Sequence, residues 1–575
     1  MEFKQMVSRQ LEDRVYDFLC GRRSKNQKAV CKAIHGGILR KTVVKISEVD
    51  HLKRSSTCQR CTGTMIYLIL ALAIIWTFWK LYTNVYHYWE TRGIPYVEGK
   101  FPLGSDPWLC SPSKFIGLEV QEHYKKLMGH PLGGIYVGRR PDLIVRDPKI
   151  IKNIMVKDFA HFRNRSIDLS FKENPLTQHL FSLEGSKWKA LRVKLTPTFT
   201  SGKLKLMYSL FVECAQRLER KLQEDSMKND GVVDIKDTIG RFTTDIIGSC
   251  AFGLEIDSLN NPDEPFRKIG MNLFKQRIKK RIIEMLFSVI PGLRNNIKSL
   301  RKTEELGNMF MTCINETIEF REKNNVRRND FLDLLIELKN QGHLIADPQK
   351  DVKVEESDHL EKIEMDLGMI TAQCFVFFIA GFETSSSVQS YALYELAYHQ
   401  VVQDKVRREI DQVIDKFGGV NYQALNEMPY LDQVINETIR KYPTLHTLTR
   451  VCTKPYQVPG TKFVIEEGIQ VLIPVYSLHH DPQYFPDPER FDPDRFSENN
   501  KSSITPFTFL PFGEGPRNCI GMRFGMLQTK IGLVTLLKNQ RVIPTSQTKS
   551  PLVFSNSLSV ISQNEGSIIL KLESV

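Results

Sequence analysis

The chain has 575 residues, 41% hydrophobic and 25% charged, a composition that excludes a disordered or fibrous protein and leaves enough chain to bury a large core. Its net charge of +13 is uneven: residues 1–64 hold fourteen Lys and Arg against six Asp and Glu, or +8, and residues 65–575 hold 65 against 60, or +5. Eleven cysteines at irregular spacings, with no secretory cleavage pattern, exclude a disulfide scaffold and suit a reducing compartment.

Residues 1–64 form a basic extension to which no function attaches. CQRC at 58–61 supplies one compact ligand pair where a structural zinc site needs two, so zinc is set aside. Between Arg60 and Lys80 run nineteen uncharged residues, CTGTMIYLILALAIIWTFW, with Trp76, Phe78 and Trp79 at the far end. That length matches the ~20 residues that cross a hydrocarbon core, and the aromatics match an interface, which predicts a single membrane anchor over 65–82. RGIPYVEGKFPLGSDP follows, punctuated by Gly93, Pro95, Gly99, Pro102 and Gly104. It predicts a hinge over 83–104 that no continuous helix can cross.

From 105 to 575 the sequence predicts one large domain, mainly α with a minor β-sheet. LMYSLFVECAQRLERKLQE and YALYELAYHQVVQDKVRREIDQVIDKF show apolar residues three and four apart, as helices do. GIYVGRRPDLIVRD and TKFVIEEGIQVLIPV are the strand-like pieces. Residues 273–298, LFKQRIKKRIIEMLFSVIPGLRNNIK, mix cations with large apolar groups and read either as a second membrane contact or as a solvated helical face.

Several stretches carry chemistry. In WKALR, Trp188 and Arg192 stand four apart on one helical face, where they can meet one ligand edge or simply pair at the surface. MITAQCFVFFIAGFETSSSVQ is the longest apolar run of the domain, a buried core helix were it not for Gly381, Glu383 and Thr384 in its middle. A glycine there weakens the helix, and a hydroxyl can bond a backbone carbonyl or turn to a ligand. Glu437 and Arg440 of ETIR share a helical face and can pair with each other and with Arg490 of PERF.

FLPFGEGPRNCIGMRFG, residues 509–525, is the most specific stretch. A thiolate is a strong metal ligand, but its charge must be offset and its direction fixed, which takes backbone N–H donors and a chain that turns tightly. Gly513, Gly515 and Gly521 permit the turns, Arg517 offers a cation two residues before Cys519, and Phe512 can cover the site. The pattern F-x-x-G-x-R-x-C-x-G would arise by accident in such a chain with a probability on the order of 10⁻⁴.

At every fixed position this loop resembles that of the cytochrome P450 superfamily, the haem-thiolate monooxygenases. The other motifs follow in the family's order over about 65–575. LTPTFTSGKLK, RKYPTLHTLTRVC and the anchor resemble the insect microsomal class that metabolises foreign compounds. The resemblance implies haem b (iron protoporphyrin IX) with Cys519 as the axial iron ligand. Trp188, Arg192, Arg450 and Arg517 would hold its propionates, and Phe512 and Gly521 would frame it. Thr384 and Glu383 would deliver protons, with Glu437, Arg440 and Arg490 as a structural network. It also implies lipophilic substrates and O2, in a pocket of Phe375, Phe377, Phe378, Ala380, Leu445 and Leu448. Electrons would come from NADPH-cytochrome reductase, with cytochrome b5 as a further donor, at the endoplasmic reticulum membrane with the haem domain facing the cytosol. No nucleic-acid partner is implied. Two rival readings are a haem-thiolate isomerase or synthase that needs no external reductant, and a membrane-tethered basic module with an inactive haem domain. The positive charge of 1–64 would by itself place the N-terminus in the cytoplasm and the domain in the lumen. That conflict with the family predicts a functional start near Met65.

Overall fold

The computed structural model describes residues 67–73, 76, 77, 79, 80, 83–105, 115–165, 175–274, 301–344, 363–555 and 565–575, apart from 255, 329 and 342. The chain divides into two units, Met1–Tyr82 and Thr83–Val575. In the first, residues 67–73 are helical, and Tyr67, Leu68, Ile69 and Leu72 stand exposed. Residues 76, 77, 79 and 80 of the expected anchor are helical too. Its other residues, the basic extension 1–64, and residues 275–298 of the basic apolar stretch lie outside the described residues.

The second unit begins with the segment expected to be a hinge, and that segment is packed. Trp89, Ile94 and Val97 are buried, the Trp89 indole N–H donates to the Ile135 carbonyl at 3.1 Å, and Tyr96 bridges to Gly134. The glycines and prolines do prevent a continuous helix: two short 3-10 turns, Asn84–His87 and Glu90–Arg92, end at Gly93 with φ of 62°. Punctuation reads as flexibility only where nothing apolar lies between the breaks, and here three large side chains do.

Helix α1 (Ile116–Lys126) leads to an antiparallel hairpin, β1 (Leu132–Val137) and β2 (Arg140–Val145), then to α2 (Pro148–Lys152), α3 (Gly185–Leu195) and α4 (Ser201–Met227). After β3 (Val232–Asp234) come α5 (Ile235–Ile247), α6 (Pro265–Phe274), α7 (Arg301–Asn324) and α8 (Phe331–Asn340), and two short paired strands, β4 (His343–Leu344) and β5 (Ile363–Glu364). The next helix, α9 (Leu367–Tyr398), runs through the centre of the unit. It starts on Asp366, whose carboxylate accepts from the Met369 N–H at 2.7 Å, and it is buried along most of its length. Among the described residues it is the one helix long and apolar enough to cross a membrane, with a mean hydropathy of 1.5, and its burial marks it as a core helix.

The continuous helix expected over 391–417 is two. α9 ends at His399, and α10 (Gln400–Phe417) starts there and stops at Gly418 with φ of 67°. Helix α11 (Pro429–Lys441) precedes β6 (Leu448–Val451), the pair β7 (Tyr456–Gln457) and β8 (Val464–Ile465), β9 (Gln470–Ile473) and α12 (Val475–His479). The chain closes with α13 (Met522–Leu537), β10 (Gln540–Pro544) and β11 (Ile569–Ser574). One sheet has the order β1-β2-β9-β6, with β2 and β9 parallel and Arg450 opposite Val471; a second has the order β10-β11-β3. The larger core surrounds α9, and the smaller lies under the first sheet.

Candidate active site

Residues 510–521 fold into a tight loop on the N-terminus of α13. The Cys519 N–H donates to the Phe512 carbonyl at 2.8 Å, the Gly513 N–H to Leu510 at 3.1 Å and the Asn518 N–H to Gly515 at 3.0 Å. Gly513 and Gly515 take φ of 66° and 72°, which only glycine adopts readily. A Cβ on Gly515 would lie 2.0 Å from the Met155 carbonyl oxygen, so the loop is pressed backbone to backbone against the turn after α2.

Cys519 is exposed to an interior space while the protein around it still excludes bulk solvent. Burial pushes its thiol up; the Gly521 N–H, Arg192 and Arg165 pull the other way. The positive end of α13 adds to that pull. The same end of α13 abuts the middle of α9, where a Cβ on Gly525 would stand 3.7 Å from the Ser385 hydroxyl. Ala380 is exposed in the midst of this buried helix, and Thr384, one turn on, donates its hydroxyl to the Ala380 carbonyl at 2.6 Å.

The WKALR pair clasps the loop from outside. Trp188 is 4% exposed and lies under the Arg517 guanidinium, 4.2 Å from ring centre to Cζ. Arg192 donates to the Asn518 backbone and side-chain oxygens at 2.9 and 2.7 Å.

Four arginines gather here: Arg165, Arg192, Arg450 and Arg517. Their hydrogen bonds go to uncharged oxygens, from Arg165 to Arg517 O at 2.8 Å, from Arg517 to Leu183 O at 2.6 Å and from Arg450 to Thr449 O at 2.8 Å. Among the described residues none of the four makes an ion pair, and the only carboxylate raising Arg517 is Glu184. The Nε atoms of Arg450 and Arg517, at 1% and 2% residue exposure, are buried without a hydrogen-bond partner. Burial holds Arg450 down to about 10; burial and the Arg450 charge hold Arg517 down to about 9; Arg165 is depressed by burial, Arg450 and Arg517. Buried cations clustered like this require anions, and two carboxylates on a thiolate-ligated group fit both the donor set and the orphaned N–H groups.

The family model described as Cytochrome P450 matches residues 103–572. The chain belongs to the cytochrome P450 family. As such it is a haem-dependent monooxygenase. It is 39% identical over 520 residues to probable cytochrome P450 6a14 of Drosophila melanogaster, covering 89% of this chain and 99% of that protein. It is 40% identical over 491 residues to cytochrome P450 6A1 of Musca domestica, covering 84% and 92%.

Within this cytochrome P450 some expected site residues converge and others do not. Glu437 and Arg440, both fully buried, form a bidentate pair at 2.7 and 2.8 Å. Arg440 also donates to the carbonyls of His479 and Pro488, and Glu437 accepts from the Asp492 N–H at 2.9 Å. Arg490 was expected as the third member, but its side chain is 71% exposed, and only its carbonyl reaches Arg440, at 3.4 Å. The third member is Arg495, 13% exposed and 3.5 Å from Glu437. PERFDPDRF contains two P-x-R-F strings five residues apart, and the fold uses the second.

The expected pocket also divides. Leu445 and Leu448 are half-buried, and Leu448 lies 3.6 Å from where a Cβ on Gly513 would be, beside the cysteine loop. The phenylalanines turn into the core instead. Phe378 is fully buried and stacks on Phe382 at 5.2 Å, Phe375 meets Phe310 at 5.6 Å, and Phe377 stacks on Phe199 at 5.1 Å and meets Phe331 at 4.2 Å. Successive residues on a helix are about 100° apart, so a run of aromatics cannot all face one cavity. Gly381 lets a neighbouring helix approach: a Cβ there would strike Ile247 at 2.2 Å, so the glycine admits α5. The charge of Glu383 acts on Lys236 and Arg267, on the α5 and α6 side. Arg165 was missed altogether, since it lies in no motif and only the fold brings it to the loop.

Proposed function

We propose that this cytochrome P450 inserts one oxygen atom from O2 into lipophilic small molecules, foreign compounds foremost, with electrons from NADPH-cytochrome reductase and cytochrome b5 as a further donor. The observation that carries the reading is the cysteine loop on the N-terminus of α13, beside four arginines that make no ion pair among the described residues. Bound haem supplies thiolate-promoted cleavage of the O–O bond. The chain holds the Cys519 sulfur by the Gly521 N–H and fixes the propionates with Arg165, Arg192, Arg450 and Arg517. Trp188 supports Arg517 from below, and Phe512 closes the loop through its carbonyl. Ala380, Leu445 and Leu448 line the substrate side and keep it apolar.

Thr384 handles the proton. Its hydroxyl donates to Ala380, which leaves its oxygen free to accept from water, and Glu383 connects that helix face to Lys236 and Arg267. Thr384→Ala is expected to keep haem content while diverting several-fold more reducing equivalents to peroxide, since the positioned proton transfer to oxygen is lost. Unchanged coupling between electron uptake and product, across several substrates, removes Thr384 from this role.

Phe378→Ala is expected to cost about 3–5 kcal/mol of stability with product pattern unchanged, since it opens a core cavity. Ala380→Phe is expected to change the product pattern with little loss of stability. Thermal melts and product profiles read both, and the reverse pattern returns Phe378 to the pocket.

The apolar run over 65–82 would anchor the chain in the endoplasmic reticulum membrane, with the haem domain in the cytosol where reductase is found. The activity is tested with reductase, NADPH and isotopically heavy dioxygen. A product one heavy oxygen richer, formed only with reductant, is expected; product without heavy oxygen, or without reductant, would mean an isomerase or synthase.

A further inference from the structure

A second cavity, of about 640 Å³, lies at the far end of α9, between that helix, the end of α11, α12 and the residues 550–554. Tyr394, on its wall, is ten residues beyond Thr384, roughly 15 Å along the helix at 1.5 Å per residue. None of its lining residues belongs to the cysteine loop or to the arginine cluster.

The walls are aromatic. Phe115 stands 5.6 Å from Tyr476 and 5.2 Å from Phe554, Tyr442 stands 5.9 Å from Phe554, and Tyr394 stands 5.0 Å from Tyr398. His480 stacks on Tyr476 at 4.1 Å, and burial holds it down to about 4, so this imidazole is neutral at physiological pH.

The floor is charged but internally balanced. Glu395, 2% exposed, accepts from the Tyr442 hydroxyl, from Lys441 at 2.8 Å and faces the His399 ring at 3.3 Å. The Lys441 charge is thereby matched. Glu489 makes no ion pair among the described residues: it is exposed at the rim, and its carboxylate, after burial itself, helps push the Tyr476 phenol up to about 12. Among the lining residues that leaves the Glu489 carboxylate before six aromatic rings; the Arg440 and Lys125 charges that reach His480 come from residues outside the lining.

We propose that this cavity is a second ligand site, taking a flat, apolar molecule that carries a positively charged nitrogen. Aromatic faces attract cations through their quadrupoles, and the carboxylate adds to this without an ion pair already in place. The volume suits a molecule of several fused rings.

Berberine, a flat permanent cation that fluoresces when it leaves water, is the probe. Full-length holoprotein is first saturated with phenylimidazole, which caps the haem iron and closes the cysteine site. One berberine per chain is still expected to bind saturably. Tyr398→Ala and Glu489→Gln, both at exposed side chains, are each expected to weaken it about tenfold, the size of one cation–π or charge contact. Oxyberberine, the neutral lactam of the same shape, is expected to bind more weakly and to ignore Glu489→Gln. The haem spectrum verifies that both variants are folded. The proposal is overturned if berberine shows no saturable binding, if phenylimidazole displaces it, if neither variant weakens it, or if oxyberberine binds as tightly.

Discussion

Cys519→Ala is expected to abolish the red-shifted Soret band of the reduced, carbon-monoxide-bound protein and to lower turnover by on the order of 10³ or more, the scale of losing a reaction's central group. The band reports thiolate ligation, and no other described cysteine can replace this one. Cys214, Cys250, Cys374 and Cys452 are buried, and burial pushes every one of their thiols up; Cys313 lies within α7, and its thiol is raised too. Cys519 alone combines an open face with the Gly521 N–H and two nearby guanidinium groups. Difference spectroscopy on purified protein makes the comparison, and a band that persists in the variant would place the ligand elsewhere in the chain.

The second large effect is expected at a distance from that chemistry. Glu437→Ala leaves the Arg440 guanidinium, fully buried, without its carboxylate, which costs about 3–5 kcal/mol and should cost the protein its haem as well as its fold. The surrounding cations should then rank by burial. Arg495→Ala, at 13% exposure and 3.5 Å from Glu437, should destabilise clearly. Arg490→Ala, at 71% exposure, should stay within about 0.5 kcal/mol of the parent protein. Urea denaturation of the three variants tests the order; a larger effect at Arg490 than at Arg495 would mean that the network uses the first P-x-R-F string after all.

The chemistry of the cysteine loop was legible in sequence because it is local: five fixed residues within ten positions dictate turns, donors and charge. The helical class and the strand character of GIYVGRRPDLIVRD were legible for the same reason, since periodicity acts over neighbouring positions. What sequence reading missed depends on contacts between distant segments. Arg165 joins the site only because its loop lies against Arg517, more than 350 positions later. The choice of Arg495 over Arg490 turns on which string reaches Glu437, and both spell the motif. The phenylalanines at 375, 377 and 378 differ by rotation about one helix axis, and what faces each sector belongs to α7, α8 and the turn at Phe199. The packed segment 83–104 was misread because five Gly and Pro breakers are scattered among its apolar residues and hide any regular period.

Two buried guanidinium groups, Arg450 and Arg517, held beside the half-buried Arg165 and Arg192 with no ion pair among the described residues, have a consequence for how the protein comes into being. Before its cofactor arrives, the half-built site repels itself, and burying Arg450 and Arg517 with unmatched N–H groups opposes closure. The dianionic macrocycle would offset both penalties, so its binding would add to stability by mass action and couple closure of the site to its capture. Supply of the pigment, more than synthesis of the polypeptide, then governs how many molecules mature, and chains made in excess of it remain open to proteolysis.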